Sequence, residues 1–165
     1  MTAHRYLIAL GSNVRNTRDG LPRQVIAGAV EMLEDLGLLF VSLSPTIDSA
    51  PLGPSRRRFA NAVAVVETVR GPEQLMAIFR ETERTFGRRK RGLRWGARVL
   101  DLDIVLWSGG AWFSPSLTIP HPQFRLRDFV LGTAAAIAPR WRDPISGLTL
   151  QQLNARLQHP RPRDA

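Results

Sequence analysis

The run Val99-Leu100-Asp101-Leu102-Asp103-Ile104-Val105-Leu106 leaves this chain few ways to fold. Its aliphatic and β-branched residues favour a strand, and strand alternation puts Asp101 and Asp103 on one face and Leu100, Leu102 and Ile104 on the other. One face must therefore be packed, while the other carries two neighbouring carboxylates. Such a pair repels itself unless positive charge stands beside it. A bland reading competes, in which both acids are solvated on an exposed face. Against it stands the position of the acids, which interrupt an apolar strand just after six basic residues. Magnesium prefers hard oxygen ligands and is commonly held by one or two carboxylates plus substrate phosphates.

The charge distribution points the same way. The 165 residues carry 23 Lys+Arg against 14 Asp+Glu, a net charge of +9, and Lys90 is the one lysine. Arg56-Arg57-Arg58 supplies three of the basic residues; Arg88, Arg89, Lys90, Arg91, Arg94 and Arg98 supply six more, with no acid in either stretch. These nine account for the whole excess. Guanidinium groups suit phosphate, to which they donate paired hydrogen bonds. Nucleotides, nucleic acid or an anionic surface are all candidates, as is a simple solvated loop. Zero cysteines exclude a disulfide framework, a thiolate metal site and a cysteine nucleophile. No apolar run approaches the roughly 20 residues of a membrane helix, and Tyr6–Leu10 is too short for a signal-peptide core, so the expected location is the cytoplasm.

The pattern predicts an α+β domain over residues 1–158 and a disordered tail over 159–165. Arg5–Gly11 reads as a buried strand, Gly11-Ser12-Asn13 as a turn, and Leu21 to Leu36 as a helix stopped by Gly37. Leu38–Thr46 and Phe59–Thr68 read as strands around an exposed loop, Pro51–Arg58. A second helix starts at Gly71-Pro72-Glu73 and ends at Gly87; its apolar stripe is Leu75, Ile78, Phe79 and Phe86. Val99–Trp107 is the fourth strand, Trp112-Phe113 a short edge strand, and two short helices lie around Val130–Ile137 and Leu150–Leu157. The order β-α-β-β-α-β is that of a ferredoxin-like sandwich, an antiparallel sheet with helices on one side, here with C-terminal additions.

Other residues with chemical potential are fewer. Trp95, within the basic loop, can stack on a heterocycle or plug the loop onto the domain. His121, held between Pro120 and Pro122, can donate to a phosphate or serve the structure alone. Gly11-Ser12-Asn13 lacks the lysine and second glycine of a phosphate-binding P-loop, and no Ser-His-Asp order or HExxH is present.

Taken in order, Ile8-Ala9-Leu10-Gly11-Ser12-Asn13, Phe59-Ala60-Asn61-Ala62-Val63, Gly87-Arg88, Arg94-Trp95-Gly96-Ala97-Arg98-Val99-Leu100-Asp101-Leu102-Asp103-Ile104, Pro120-His121-Pro122, Arg127-Asp128-Phe129-Val130-Leu131 and Ile137-Ala138-Pro139 resemble the 6-hydroxymethyl-7,8-dihydropterin pyrophosphokinases of folate biosynthesis. The resemblance spans about residues 5 to 150, and the Arg94–Ile104 segment is its most specific part. It implies transfer of pyrophosphate from ATP to the pterin hydroxymethyl group, with release of AMP. It also implies two magnesium ions on Asp101 and Asp103, and phosphate contacts from Arg88, Lys90 and Arg98, with Arg94 beside them. Trp95 would close over the substrates. Ile104, Thr118, His121 and Arg127 would contact ATP. The pterin would stack between Phe59 and Phe129, with Ser49, Leu52 and Asn61 at its polar edge. A monomer without a nucleic-acid partner is the implied state.

This chain departs from the family pattern in places. Lys90 stands at a loop arginine position, Phe59 where tyrosine is frequent, Ser49-Ala50-Pro51 where Thr-Pro-Pro is usual, and Ser116 at a basic position. Ser55-Arg56-Arg57-Arg58 replaces an Asp-Gln-Pro-type stretch. The metal and triphosphate end is better kept than the pterin-side loop, so a diverged member with another acceptor is one alternative. A small RNA-binding module on a similar sheet is another; it gains from the arginines but lacks an RNP-type segment.

Overall fold

The first strand, β1 (His4–Val14), is the centre of the molecule because it pairs on both sides. In the computed structural model, which describes residues 2–14, 21–49, 58–88 and 99–162, Gly11-Ser12-Asn13 is part of this strand. The turn expected there does not form. Gly11 pairs with Asn61 on one side and Asp101 on the other, and a ladder on both edges overrides local turn preference. Helix α1 (Pro22–Asp35) follows, then β2 (Leu39–Leu43) and β3 (Ile47–Ser49). The strand expected over Leu38–Thr46 ends at Leu43, short of Ser44-Pro45-Thr46, where the proline has no N–H for a ladder, and β3 is a further short strand beyond the expected one. Next come β4 (Arg58–Thr68), α2 (Pro72–Arg88) and β5 (Leu100–Trp107).

The sheet order is β2-β4-β1-β5, with β3 also on β4, and every pairing is antiparallel. This is the ferredoxin-like arrangement that the element order predicts. The segment Trp112-Phe113 is β6, but it pairs with β7 (Thr118–Ile119) in a separate two-stranded sheet rather than extending the main one. A 3₁₀ turn at Phe124–Leu126 leads into α3 (Asp128–Ile137), and α4 (Leu150–Gln158) follows.

Two cores flank the sheet. On one face Tyr6, Ile8 and Leu10 of β1, the alanines of β4, and Leu100, Leu102 and Ile104 of β5 meet Val25, Ile26, Ala29 and Leu33 of α1 and Leu75 and Phe79 of α2. On the other, Leu7, Ala9, Val63, Val65, Val105 and Leu106 meet Val130, Leu131 and Ala134 of α3 and Leu150 and Leu153 of α4. The C-terminal additions are therefore a second helical layer. A register shift between Leu7 and Ile8, which pair with Leu106 and Ile104, leaves Val105 as a bulge. It puts Val105 and Leu106 both in the second core and so ends the acid-bearing alternation at Asp103.

Candidate active site

The second helical layer covers only part of its sheet face, and β1 shows where cover stops. Leu7 and Ala9 lie in that core, whereas the next positions on the same face are Gly11 and Asn13. Around them is a cavity of about 200 Å³ lined by Gly11, Ser12, Asn13, Phe59, Asn61 and Asp101. The pairing Asn61–Gly11–Asp101 forms one row across three strands, with Asn13 opposite Phe59 beyond it. Gly11 is closely approached: a Cβ there would stand 3.2 Å from Asn61 Oδ1, so the Asn61 side chain would have to give way. Ser12 points the other way and donates from Oγ to the carbonyl of Val99 at 2.6 Å, fixing where β5 begins. Asp101 is thereby held at the same level as the cavity floor.

One row further in, Asp103 pairs with Ala9 and meets an imidazole and a guanidinium from the chain after β7. His121 Nε2 lies 3.9 Å from Asp103 Oδ1, and an Arg127 guanidinium nitrogen lies 3.8 Å from Oδ2. The amide of Gln123 donates to His121 Nδ1 at 3.2 Å, so the neutral ring carries its proton on Nε2, towards Asp103. The His121 backbone N–H donates to the Val105 carbonyl at 3.0 Å, made available by the bulged strand. Burial and the neighbouring Asp101 raise the Asp103 pKa, while His121, Arg127 and Arg80 oppose the rise. Burial lowers the pKa of His121 against the pull of Asp103, and Arg127 lowers it further. The two carboxylates thus sit in a site that favours added positive charge.

Several residues singled out from sequence are brought together here: Phe59, Asn61, Asp101, Asp103, His121 and Arg127. Phe129 is 39% exposed in the first turn of α3, and its ring makes no contact with that of Phe59 among the described residues. Thr118 lies on β7, three residues before His121. Ile104 is buried in the first core, on the sheet face opposite Asp103, so only its backbone on the edge strand could reach a ligand. Leu52, Lys90, Arg94, Trp95 and Arg98 lie outside the described residues, as do the side chains of Ser49 and Arg88. Glu83 of α2 was not foreseen. Its Oε1 accepts from the Leu102 N–H at 3.1 Å, satisfying a donor on the free side of β5, and Arg80 pairs with it at 3.2 Å. Burial raises the Glu83 pKa, which Asp101 also pushes up.

Two carboxylates are too few for a closed metal cage, and among the described residues no cluster of three or more potential ligands exists. They do fit magnesium, which keeps waters and completes its shell with substrate phosphate. A ferredoxin-like sandwich with an open sheet end, paired carboxylates and an imidazole and guanidinium beside them defines a class: a small α+β protein equipped to handle a phosphorylated ligand. The family model for 7,8-dihydro-6-hydroxymethylpterin-pyrophosphokinase matches residues 7–139, and the chain belongs to that family. It is 40% identical over 141 residues to a 2-amino-4-hydroxy-6-hydroxymethyldihydropteridine pyrophosphokinase of Pseudomonas aeruginosa, covering 85% of this chain and 84% of that one. A Synechocystis protein of the same name is 34% identical, covering 91% of this chain and 74% of its own length. The fold also matches the wild-type HPPK-DHPS structure of Plasmodium falciparum with a TM-score of 0.68 at 13% identity, over 94% of this chain and 45% of that one. This chain therefore spans less than half of that larger protein.

Proposed function

We propose that this chain transfers the terminal pyrophosphate of ATP to the hydroxymethyl oxygen of 6-hydroxymethyl-7,8-dihydropterin, releasing AMP. The observation that carries the reading is the shared row of Asn61, Gly11 and Asp101, which puts a carboxylate at the edge of a cavity one row from Asp103, His121 and Arg127. The cavity of about 200 Å³ offers the Phe59 ring as a flat apolar face and the Asn61 amide as a polar partner, which supports seating the pterin there and ATP on the Asp103 side.

In this reading Phe59 and Phe129 take the pterin faces, and Asn61, Ser49 and the backbone near Leu52 take its polar edge. Offset stacking contributes roughly 0.5–1.5 kcal/mol beyond burial, so the polar contacts carry much of the selectivity. Asp101 and Asp103 hold magnesium, which when bound neutralises and orients the triphosphate. His121 offers its Nε2 proton to a phosphate oxygen, Arg127 adds charge, and Thr118 and the Ile104 backbone border the nucleotide. Arg88, Lys90 and Arg98 supply phosphate contacts, and Trp95 covers the site. The hydroxymethyl oxygen forms a bond to the β-phosphorus as that phosphorus leaves the oxygen bridging it to the α-phosphate. AMP departs with that oxygen, and the hydroxyl proton is released to water. Positioning and charge stabilisation lower the barrier, with no strong base required. The chain works as a monomer in the cytoplasm, where ATP and magnesium are supplied.

The test is AMP formation from ATP and magnesium with and without the dihydropterin. Pterin-dependent AMP is expected, falling roughly 10²–10³-fold or more in Asp101→Ala and Asp103→Ala. AMP formation indifferent to the pterin, or full activity in both variants, would refute the reading.

A further inference from the structure

The segment from His121 to Arg127 is a run of linked turns with both ends directed at Asp103. Its internal bonds are Phe124 N–H to the His121 carbonyl, Leu126 N–H to the Gln123 carbonyl and Arg127 N–H to the Phe124 carbonyl. Arg127 also donates from its guanidinium to Gln123 Oε1 at 3.2 Å. Arg125, near the middle, turns away from the site. It donates through Nε and a terminal nitrogen to the two oxygens of Asp143, each at 2.7 Å, and lies 4.7 Å over the ring of Phe124. Asp143 is wholly buried and also accepts from the Ile145 amide at 3.0 Å and the Ser146 hydroxyl at 2.8 Å.

We propose that the Arg125–Asp143 pair is a positioning device that sets His121 and Arg127 against Asp103. This rests on the function proposed above. Neither residue touches the site. The bidentate fork fixes both distance and angle, which a single contact cannot. Phe124, buried beneath, sets depth, and the fork sets rotation about it. A buried ion pair is weak evidence for stability but is a known means of specifying one arrangement, which is the use argued here. Side chains at 3.8–3.9 Å from Asp103 make no direct hydrogen bond to it, so their placement depends on the segment that carries them.

The test uses Arg125→Lys, which keeps the charge and loses the fork, and the double variant Arg125→Met/Asp143→Asn. The latter leaves no uncompensated charge and keeps an acceptor for the Ile145 amide, so it folds even where single variants do not. The chain has three histidines, and the Cε1–H resonance of His121 is assigned by its absence in His121→Asn. In ligand-free protein both test variants should broaden or split that resonance while leaving those of His4 and His159 in place. The KM for ATP should rise on the order of tenfold, within the penalty for misplaced groups, and the KM for the dihydropterin less than about twofold. A folded variant with an unchanged His121 resonance and an unchanged KM for ATP overturns the proposal, as does an equal rise in both KM values. Absence of pterin-dependent AMP in the wild type refutes the function instead, and the His121 comparison still decides the positioning.

Discussion

Asp103 shows what a carboxylate proposed to hold metal costs the fold on its own. Burial and Asp101 hold its pKa above the ordinary carboxylate value, so ionising it at neutral pH opposes folding despite His121 and Arg127. Asp103→Asn should therefore be more stable than the wild type in metal-free buffer and inactive in AMP formation. Each kcal/mol relieved should raise the melting temperature by about 2–4 °C at this chain length. A lower melting temperature for Asp103→Asn in the presence of chelator would show that His121 and Arg127 outweigh the burial. Gly11 illustrates the same economy without charge, since any side chain there would fill the space beside Asn61.

At the level of elements, the site depends on where β5 begins. Ser12 is buried, and its hydroxyl is the partner of the Val99 carbonyl. Ser12→Ala strands that carbonyl, at a cost of about 1–3 kcal/mol. We expect a clear drop in melting temperature together with weaker magnesium-dependent ATP binding, because Asp101 loses its fixed level. A melt within a degree of wild type with unaltered ATP affinity would count against this role. The strand itself was readable from sequence, since Leu100, Asp101, Leu102 and Asp103 alternate without interruption. The bulge at Val105 was not, because it is a property of pairing with Leu7 and Ile8. Gly11-Ser12-Asn13 misled for a related reason: small polar residues suit turns, yet here they suit a strand that must leave room above it. The contact from Glu83 to Leu102 N–H depends on how α2 docks, which no local pattern encodes. The second helical layer was readable as two helices and not as cover for a sheet face, because their apolar stripes do not name a partner.

For the whole molecule, the C-terminal layer gives stability and also holds the segment that faces the site, and Asp143 joins the two. Burial alone would raise its pKa, but the Arg125 fork, the Ile145 amide and the Ser146 hydroxyl outweigh this and hold it below the usual carboxylate value. A depressed folded pKa means a contribution present above the unfolded value, about 3.9, and lost as pH falls through the folded one. Glu83 and Asp103 have the opposite sign and burial lowers the pKa of His121, so the comparison is made in an Asp103→Asn/His121→Asn background, with and without Asp143→Asn, where Glu83 is common to both proteins. The difference in unfolding free energy between those two proteins isolates Asp143. It should be steady from about pH 5 to 7, at most about 3 kcal/mol for a buried pair losing one partner, and should shrink below about pH 4. Urea unfolding of both proteins across pH 3–7 measures it. A difference that stays constant down to pH 3 would mean that the Asp143 carboxyl is held by its neutral hydrogen bonds, and that the charge of Arg125 contributes nothing to the fold.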